Sequence, residues 1–302
     1  MDATEVAEQA ARALLAAQRD TAALADAPFA AMHGGLSNHG WCVTQGGRRW
    51  FVRLGGPHAA SLGVDRDSEC VLLCTAAAAG LSPAVVACDP GPGLLVLEFV
   101  PGVPCARESM FEPARLARLA ACLARLHRLP VPPGVGRVSF RAQARQLEAQ
   151  LAQTGVHDAD LAACAATAFA ELESGTPPAT LCHNDLHHLN LLEDSSRLWL
   201  VDWEYGGVGD PAFDFASVLC QHDAGAHERQ RLLEAYDGPA AISLQRLEAA
   251  CTAFDYVQWL WYRTWVQRSP GADAEYRRRA DRIAARMPGR VSARPPGGPL
   301  EA

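Results

Sequence analysis

A change of pattern at a Pro-Gly pair, residues 101–102, constrains the fold of this 302-residue chain more than any other feature of its sequence. Before that pair, short β-prone runs alternate with turns. The runs at 41–44 and 50–54 surround a Gly-Gly pair at 46–47 and predict a β-hairpin. After residue 102, most of the chain has the residue spacing of helices. The sequence therefore predicts an α+β fold with a small N-terminal antiparallel-sheet lobe and a larger, mainly helical C-terminal lobe.

The two lobes have predicted bounds of 1–100 and 101–289, and the Pro- and Gly-rich segment 290–302 is expected to be a disordered tail. Further strands are predicted at 83–87, 94–99, 189–192 and 198–201. Helices are predicted at 4–25, 65–79, 112–129, 141–154, 158–173, 212–222, 226–236, 243–267 and 272–286.

The composition excludes several kinds of site. All 27 basic residues are arginine, so the chain lacks the lysine of a Walker A phosphate loop and the lysine of a Schiff-base enzyme. A bound phosphate group would have to be held by arginine or by the backbone. The formal net charge of −7 argues against nucleic-acid binding.

The ten cysteines form no C-x-x-C pair, which argues against a zinc ribbon or a thioredoxin-like site. Most of them have apolar neighbours, and we expect them to be small buried hydrophobic residues. The N-terminus is acidic without a signal-peptide pattern, and no apolar run approaches the roughly 18–20 residues of a membrane span. We therefore expect a cytoplasmic protein without membrane insertion.

The polar loop at 182–190 carries the densest chemistry of the sequence. Asp185 and Asn190 precede a β-prone run, and the next such run ends at Asp202. Because a tight hairpin would return Asp202 beside Asn190, their carboxylate and amide oxygens suit Mg²⁺, which prefers oxygen ligands. Asp185 is then the candidate that orients a hydroxyl group and accepts its proton. This division of roles matches the H-x-D-x-x-x-x-N pattern of phosphoryl-transfer enzymes.

Three histidines of the same loop allow a second interpretation, a zinc site formed by His183, His187 and His188. Adjacent residues of a strand point to opposite faces, and the pair His183/His187 lacks the glutamate of an H-E-x-x-H motif. We favour the interpretation that His183 belongs to the catalytic residues and supports the loop by hydrogen bonding.

The segment 202–207, D-W-E-Y-G-G, follows directly on this loop. Together the two segments resemble the aminoglycoside phosphotransferase/choline kinase superfamily, with a match over roughly residues 30–285. The match is closest to bacterial choline, ethanolamine and thiamine kinases, because aminoglycoside enzymes usually have glycine at the position of Glu204. The resemblance implies a protein-kinase-like fold, with 1–100 as the nucleotide-binding lobe and 101–289 as the catalytic and acceptor-binding lobe. It also implies ATP and Mg²⁺ as cofactors.

The resemblance assigns further residues to the nucleotide. The loop at 34–38 is similar to the G-[LM]-[ST]-N loop of choline and thiamine kinases, in which glycines let the backbone approach phosphates. Arg53 takes the place of the phosphate-binding lysine of protein kinases, and Glu69 of a D-R-x-x-E segment is its partner. Glu98 and Val100 would bind adenine through their backbone. The implied loop residues are Gly34, Gly35, Ser37 and Asn38.

The acceptor implied by the resemblance is a small cationic alcohol, bound by Glu204 and Tyr205. The aromatic-rich segment 254–265 offers Trp261 and Trp265 as a box for a cation. Packing inside a helical core explains these two tryptophans equally well. The C-terminal part of the match favours thiamine and the catalytic loop favours choline, so thiamine, choline and ethanolamine all stay open.

Two other functions are compatible with the sequence: an aminoglycoside or amino-sugar kinase, and a nucleotide-binding pseudokinase-like module. The expected partner is the small-molecule alcohol, with no nucleic acid, and the expected oligomeric state is a monomer or a homodimer.

Overall fold

A computed structural model describes residues 3–32, 38–56, 59, 62–175, 179–194, 197–268 and 274–287. Contacts within the chain divide it into two compact units. Unit 1 comprises Met1–Val138, Thr180–Val208 and Ala235–Pro239, and unit 2 comprises Ser139–Ala179, Gly209–Glu234 and Ala240–Ala302. The lobe boundary near residue 100 is a different division and stays a prediction. The expected disordered tail, 290–302, lies outside the described residues.

Unit 1 begins with helix α1 (Ala3–Ala16) and strands β1 (Phe29–Met32), β2 (Asn38–Gln45), β3 (Arg48–Gly55), β4 (Val85–Asp89) and β5 (Leu94–Glu98). The strands form one antiparallel sheet in the order β1-β2-β3-β5-β4. β2 and β3 are the predicted hairpin. Gly46 and Gly47 of its turn have φ angles of 56° and 78°, which a two-residue hairpin turn requires and glycine adopts without strain.

The core of unit 1 forms where α1 meets the sheet. Trp41 and Val43 of β2 are fully buried there, because alternate residues of a strand point to the same face. Leu15 of α1 and Val52 of β3 complete the contact. Helix α1 ends short of the predicted residue 25, and Arg12 on it donates hydrogen bonds to the carbonyl oxygens of the returning chain at residues 25 and 27.

Helix α2 (Arg66–Ala78) begins where the sequence predicts, because the carboxylate of Asp65 accepts a hydrogen bond from the Ser68 N–H at 3.0 Å and caps the helix. α2 contacts β4, and a disulfide between Cys70 and Cys88 joins the two elements. The cysteine pattern did not predict this bond. Five of the eight free cysteines are buried, in agreement with the expected small hydrophobic residues.

The rest of unit 1 contains helix α3 and short strands around the polar loop at 182–190. Their bounds are β6 (Val103–Pro104), α3 (Pro113–His127), β7 (Thr180–Cys182), β8 (Leu191–Glu193), β9 (Leu198–Leu200) and β10 (Gly207–Gly209). β8 and β9 form the predicted second hairpin, and β6 extends it. The sequence missed β6, β7 and β10, since two or three residues are too few to show an alternating pattern.

The remaining helices are α4 (Phe140–Ala152), α5 (Ala159–Glu173), α6 (Ala212–Gln221), α7 (Ala226–Ala235), α8 (Leu244–Arg268) and α9 (Ala274–Arg286). α8 is the central helix of unit 2 and packs against α4, α5, α6 and α9. The predicted order of an antiparallel sheet followed by a mainly helical region is confirmed. None of the described helices combines the length and the hydropathy that crossing a bilayer requires.

Candidate active site

The loop after β7 is held in place by His183. Its Nδ1 accepts a hydrogen bond from the Asp185 N–H at 3.4 Å, and its Nε2 lies 3.0 Å from the carbonyl oxygen of Val201. A neutral imidazole with its proton on Nε2 satisfies both contacts. Because both ring nitrogens bind backbone groups, this geometry agrees with a supporting role and gives no support to the zinc interpretation.

Asn184 ties the same loop to a second point. It has a φ of 65°, a left-handed conformation that asparagine adopts more readily than most residues. Its side-chain amide donates a hydrogen bond to the carbonyl oxygen of Tyr205 at 3.0 Å. Since Val201 and Tyr205 flank Asp202 in the sequence, the loop is fixed to the backbone on both sides of that residue.

Asn190 links Asp185 to the second hairpin. Its amide nitrogen donates to the carbonyl oxygen of Asp185 at 2.8 Å and to Asp185 Oδ2 at 3.3 Å. Its own carbonyl oxygen accepts a hydrogen bond from the Val201 N–H at 3.0 Å. The amide nitrogen of Asn190 is therefore used within the loop, and the amide oxygen is the atom that could bind a cation.

Asp202 follows β9 with a φ of 64°, so its backbone is in the left-handed region that few aspartates occupy. The loss of solvation inside the protein raises the pKa of the Asp202 carboxyl group, although 39% of the side chain stays exposed. The carboxylates of Glu204, Glu69 and Asp185 raise this pKa further, and Arg53 lowers it. These neighbouring carboxylates disfavour the ionised form of Asp202. A cation bound to Asp202 would therefore stabilise its carboxylate.

The balance of charge in this cluster has the same consequence. It contains the carboxylates of Asp185, Asp202, Glu69 and Glu204 and the guanidinium groups of Arg53 and Arg66. If all six groups are ionised, the cluster has a net charge of −2. The carboxylate of Asp202 and the amide oxygen of Asn190 therefore fit Mg²⁺ by donor type and by charge.

Arg53 on β3 is bound by Glu69 on α2 through two hydrogen bonds, Nη1 to Oε1 at 2.5 Å and Nη2 to Oε2 at 2.8 Å. Burial disfavours the charge on both groups. The hydrogen bonds and the attraction between them outweigh burial, so the pKa of Arg53 is raised and the pKa of Glu69 is lowered. Arg53 Nη1 lies 3.6 Å from Asp202 Oδ1. The buried Nε of Arg53 has no hydrogen-bond partner among the described residues, which leaves a donor for a phosphate oxygen.

Asn38, the first residue of β2, is the member of the predicted phosphate loop that the structure describes. Its amide nitrogen donates to Glu204 Oε2 at 2.9 Å, and its amide oxygen accepts from Arg66 Nη2 at 2.7 Å. Gly34, Gly35 and Ser37 lie outside the described residues. Arg66 is absent from the predicted site residues, although it is the arginine of the D-R-x-x-E segment that pointed to Glu69.

Glu98 and Val100 lie at and just after the end of β5. The Glu98 side chain is exposed and pairs with Arg48 at 2.8 Å, and the Glu98 N–H donates to the carbonyl oxygen of Ala84 at 2.9 Å. That N–H is therefore used inside unit 1. The binding of adenine by this segment stays a prediction.

The glycine after Tyr205 is required by close packing against α2. A Cβ atom at Gly206 would lie 2.3 Å from Leu72 Cδ2 and 3.0 Å from the carbonyl oxygen of Trp203. The Trp203 ring is buried, donates to the carbonyl oxygen of Leu200 at 3.0 Å and lies 4.6 Å from the His183 ring. The D-W-E-Y-G-G segment is thus packed both against α2 and against the catalytic loop.

Trp261 and Trp265 lie on α8 in unit 2, whereas the other described candidates lie in unit 1. Both are half-buried, and their rings stack in parallel with centroids 5.5 Å apart and planes 2° apart. The indole N–H of Trp265 is buried and has no hydrogen-bond partner within the described part of the chain. Their role in acceptor binding stays a prediction.

Comparison with known proteins places these observations in a family context. A family model described as "Phosphotransferase enzyme family" matches residues 28–248. The chain is 42% identical over 55 residues to Protein LicA of Haemophilus influenzae and 35% identical over 65 residues to thiamine kinase of Salmonella heidelberg. These alignments cover 18% and 22% of this chain and 21% and 23% of the two relatives, so the chain spans about a fifth of the curated relatives it matches.

A solved structure matches almost the whole chain. It is a choline/ethanolamine kinase family protein from Mesorhizobium loti, with 26% identity and a TM-score of 0.73. The match covers 93% of this chain and 96% of that chain. It confirms the fold that the sequence resemblance implied.

Proposed function

The family model spans most of the chain, so the chain belongs to the phosphotransferase enzyme family, and from this premise we propose that it transfers the γ-phosphoryl group of ATP to a small cationic alcohol. The observation that carries this proposal is a chain of hydrogen bonds from Asp185 through Asn190 to Val201, the residue before Asp202, with Arg53 Nη1 3.6 Å from Asp202 Oδ1. Phosphoryl transfer requires a proton acceptor, oxygen ligands for a metal ion and a positive group that binds phosphate. Asp185, the pair Asn190 and Asp202, and Arg53 would supply them in that order.

Asp185 is the residue proposed to act on the acceptor. Its carboxylate orients the hydroxyl group and accepts the proton as the hydroxyl oxygen attacks the γ-phosphorus. The bond between the γ-phosphorus and the bridging oxygen breaks, and the products are a phosphomonoester and ADP. His183 holds the loop through the Asp185 N–H and Val201, so it is proposed to keep the carboxylate in position.

The nucleotide is proposed to be held by other residues of unit 1. Asn190 and Asp202 would hold Mg²⁺, which when bound neutralises charge on the phosphate oxygens. Arg53 is proposed to bind phosphate through its fixed fork, which Glu69 orients. The other proposed nucleotide-binding residues are Gly34, Gly35, Ser37, Asn38, Glu98 and Val100.

The proposed acceptors are thiamine, choline and ethanolamine. The names of the relatives support this class, since they include a thiamine kinase and a choline/ethanolamine kinase family protein. Tyr205, Trp261 and Trp265 are proposed to bind the cationic part of the acceptor. Glu204 is the residue that the sequence predicts to pair with its positive charge. We further propose that the protein acts in the cytoplasm as a monomer or homodimer.

A coupled assay of ADP release tests the proposal directly. Purified protein with ATP and Mg²⁺ is offered thiamine, choline, ethanolamine, aminoglycosides and amino sugars, each with and without EDTA. We expect ADP release that depends on one of the first three alcohols and is abolished by EDTA. Release with aminoglycosides or amino sugars alone would contradict the acceptor class. Nucleotide binding without release on any acceptor would favour a pseudokinase-like module.

A further inference from the structure

Arg66, at the start of α2, binds three side chains of unit 1, one on its own helix and two from other segments. Its guanidinium contacts Glu69 Oε2 at 2.6 Å, Asn38 Oδ1 at 2.7 Å and Glu204 Oε2 at 3.2 Å. The side chain is only 11% exposed. A guanidinium presents several donors in a rigid plane, so it can hold three acceptors at once where an ammonium group would hold them less well.

Glu204 is already engaged by these contacts. Its side chain is 4% exposed, and Oε2 accepts from Asn38 and pairs with Arg66. A cationic acceptor that bound Glu204 would have to share its carboxylate with a buried arginine. Breaking a buried charge pair is costly because it leaves an uncompensated charge. The structure therefore argues for a role of Glu204 inside the protein.

The three partners of Arg66 belong to different parts of the proposed nucleotide site. Asn38 is the last residue of the proposed phosphate loop, Glu69 orients Arg53, and Glu204 stands two residues after Asp202. In the sequence, Asn38 and Glu204 are 166 positions apart. A shift of any one of these segments would therefore strain the contacts of the other two.

Resting on the proposed function, we infer that Arg66 and Glu204 are positioning residues, a brace that aligns the phosphate loop, the Arg53–Glu69 pair and the Asp202 segment for nucleotide binding. The brace acts through Asn38, Glu69 and the backbone that leads to Asp202. Neither residue needs to contact the acceptor alcohol. Removal of the brace should weaken the binding of nucleotide and leave the binding of acceptor as it was.

The test is a double-mutant cycle on Arg66→Ala and Glu204→Gln, with the affinity for Mg²⁺–ATP measured by calorimetry in the absence of acceptor. Each variant is expected to lose about tenfold in affinity, as for the loss of a charge-assisted hydrogen bond. The double variant should lose no more affinity for Mg²⁺–ATP than the single variant that binds it more weakly, because both changes break the same contact between Arg66 and Glu204. The Michaelis constant of the acceptor should stay at the wild-type value in all three.

Additive losses in the double variant would overturn the brace. So would a Glu204→Gln variant whose acceptor Michaelis constant rises while its nucleotide affinity is unchanged, since that result assigns Glu204 to the acceptor. The calorimetry needs no acceptor, so the brace is tested even if every alcohol fails in the ADP-release assay and the proposed function is wrong. A wild-type protein that binds no nucleotide would overturn both.

Arg115→Ala is the matched control. Arg115 pairs with Glu193 in the same unit at 2.9 Å, with side chains 15% and 17% exposed. This variant should keep wild-type nucleotide affinity, and an equal loss there would show that any half-buried pair has the effect. If Arg66→Ala does not fold, Arg66→Lys replaces it: a lysine keeps the charge and is expected to restore part of the affinity. Wild-type affinity in a folded Arg66→Lys and in Glu204→Gln would overturn the brace.

Discussion

Arginine–carboxylate contacts are built differently in the two compact units. In unit 1 they converge, because Glu69 binds both Arg53 and Arg66, and Arg66 continues to Glu204. The cluster around Arg53 and Asp202 has more carboxylates than guanidinium groups. The buried Nε of Arg53 has no hydrogen-bond partner among the described residues.

In unit 2, by contrast, Asp255 and Asp210 each form a closed pair with one arginine, whereas the exposed Glu275 contacts three arginines. Arg286 on α9 binds both carboxylate oxygens of Asp255 on α8, at 2.9 and 2.5 Å, and also contacts Asp223. Burial raises the pKa of Asp255, although the hydrogen bonds from Arg286 oppose that shift. Arg246 on α8 donates two hydrogen bonds to Asp210 Oδ2, from Nε at 3.0 Å and from Nη2 at 2.5 Å.

The difference shows how one pair of residue types serves two purposes. The pairs Arg286–Asp255 and Arg246–Asp210 of unit 2 hold α8 to other segments of that unit, so their effect should be on stability. The converging contacts of unit 1 leave a net negative charge, which a bound cation would neutralise. They also leave the Nε–H of Arg53 without a partner among the described residues, and a phosphate oxygen could accept from it. The following variants are chosen to separate these two roles.

The largest expected effect is on turnover, from Asp185→Asn in unit 1. The amide keeps the shape of the side chain and removes the proton acceptor, so kcat should fall about 10³-fold. The free energy of unfolding in urea should change little. The exposed Asp160→Asn in unit 2 is the control and should keep wild-type turnover. A fully active Asp185→Asn would refute the mechanism.

The closed pair of unit 2 should show the opposite result. Arg286→Ala leaves the buried carboxylate of Asp255 without its partner, which should lower the free energy of unfolding by about 4 kcal/mol. Activity per folded molecule should stay unchanged. Arg282→Ala on the same helix removes an exposed side chain that contacts Glu275 at 3.6 Å. Its effect should stay within about 0.5 kcal/mol. If both variants lower stability equally, the buried pair has no special role.

The disulfide tests whether unit 1 also contains purely structural links. Cys70 and Cys88 close a loop with a sequence separation of 18, and loops of this size contribute about 3 kcal/mol to stability. Cys88→Ser should lower the free energy of unfolding by that amount, as should reduction of the wild-type protein. Exposed Cys74→Ser is the control. If a reductant has no effect on the unfolding of the wild-type protein, the bond is absent in solution.

This disulfide also lies close to Arg53 and Glu69 of the proposed nucleotide site. Arg53 and Cys88 are both in register with Leu95, on either side of it, so they occupy one row of the sheet. Their partners Glu69 and Cys70 are neighbours on α2. A weaker affinity for Mg²⁺–ATP in Cys88→Ser would therefore show that the disulfide helps to place Glu69.

The smallest effect is expected from Arg53→Lys, which keeps the charge and loses the fork that binds two oxygens at once. kcat/KM for ATP should fall about tenfold. The control is Arg49→Lys, an exposed arginine at the start of the same strand, which should leave kcat/KM for ATP unchanged. Unchanged kinetics in Arg53→Lys would refute the assignment of Arg53 to phosphate.

Local patterns in the sequence predicted most of the elements. The Gly-Gly turn at 46–47 placed the first hairpin, and capping by Asp65 placed the start of α2. The strands β6, β7 and β10 were missed, because their few residues pair with distant segments and have no periodicity of their own. The bond between Cys70 and Cys88 was missed because spacing alone does not show which cysteines meet.

For the candidate site, the sequence alone identified the chemical groups, namely the acids and the amide of the 182–190 loop and the arginine that replaces lysine. It also predicted the hairpin that brings Asn190 near Asp202. Only the tertiary structure decided which groups are already bound to one another. Glu204 has the charge expected of a ligand for a cation, yet it is paired with Arg66 and Asn38 from segments far away in the sequence. Side-chain contacts over such separations depend on the packing of whole elements, which no local pattern encodes.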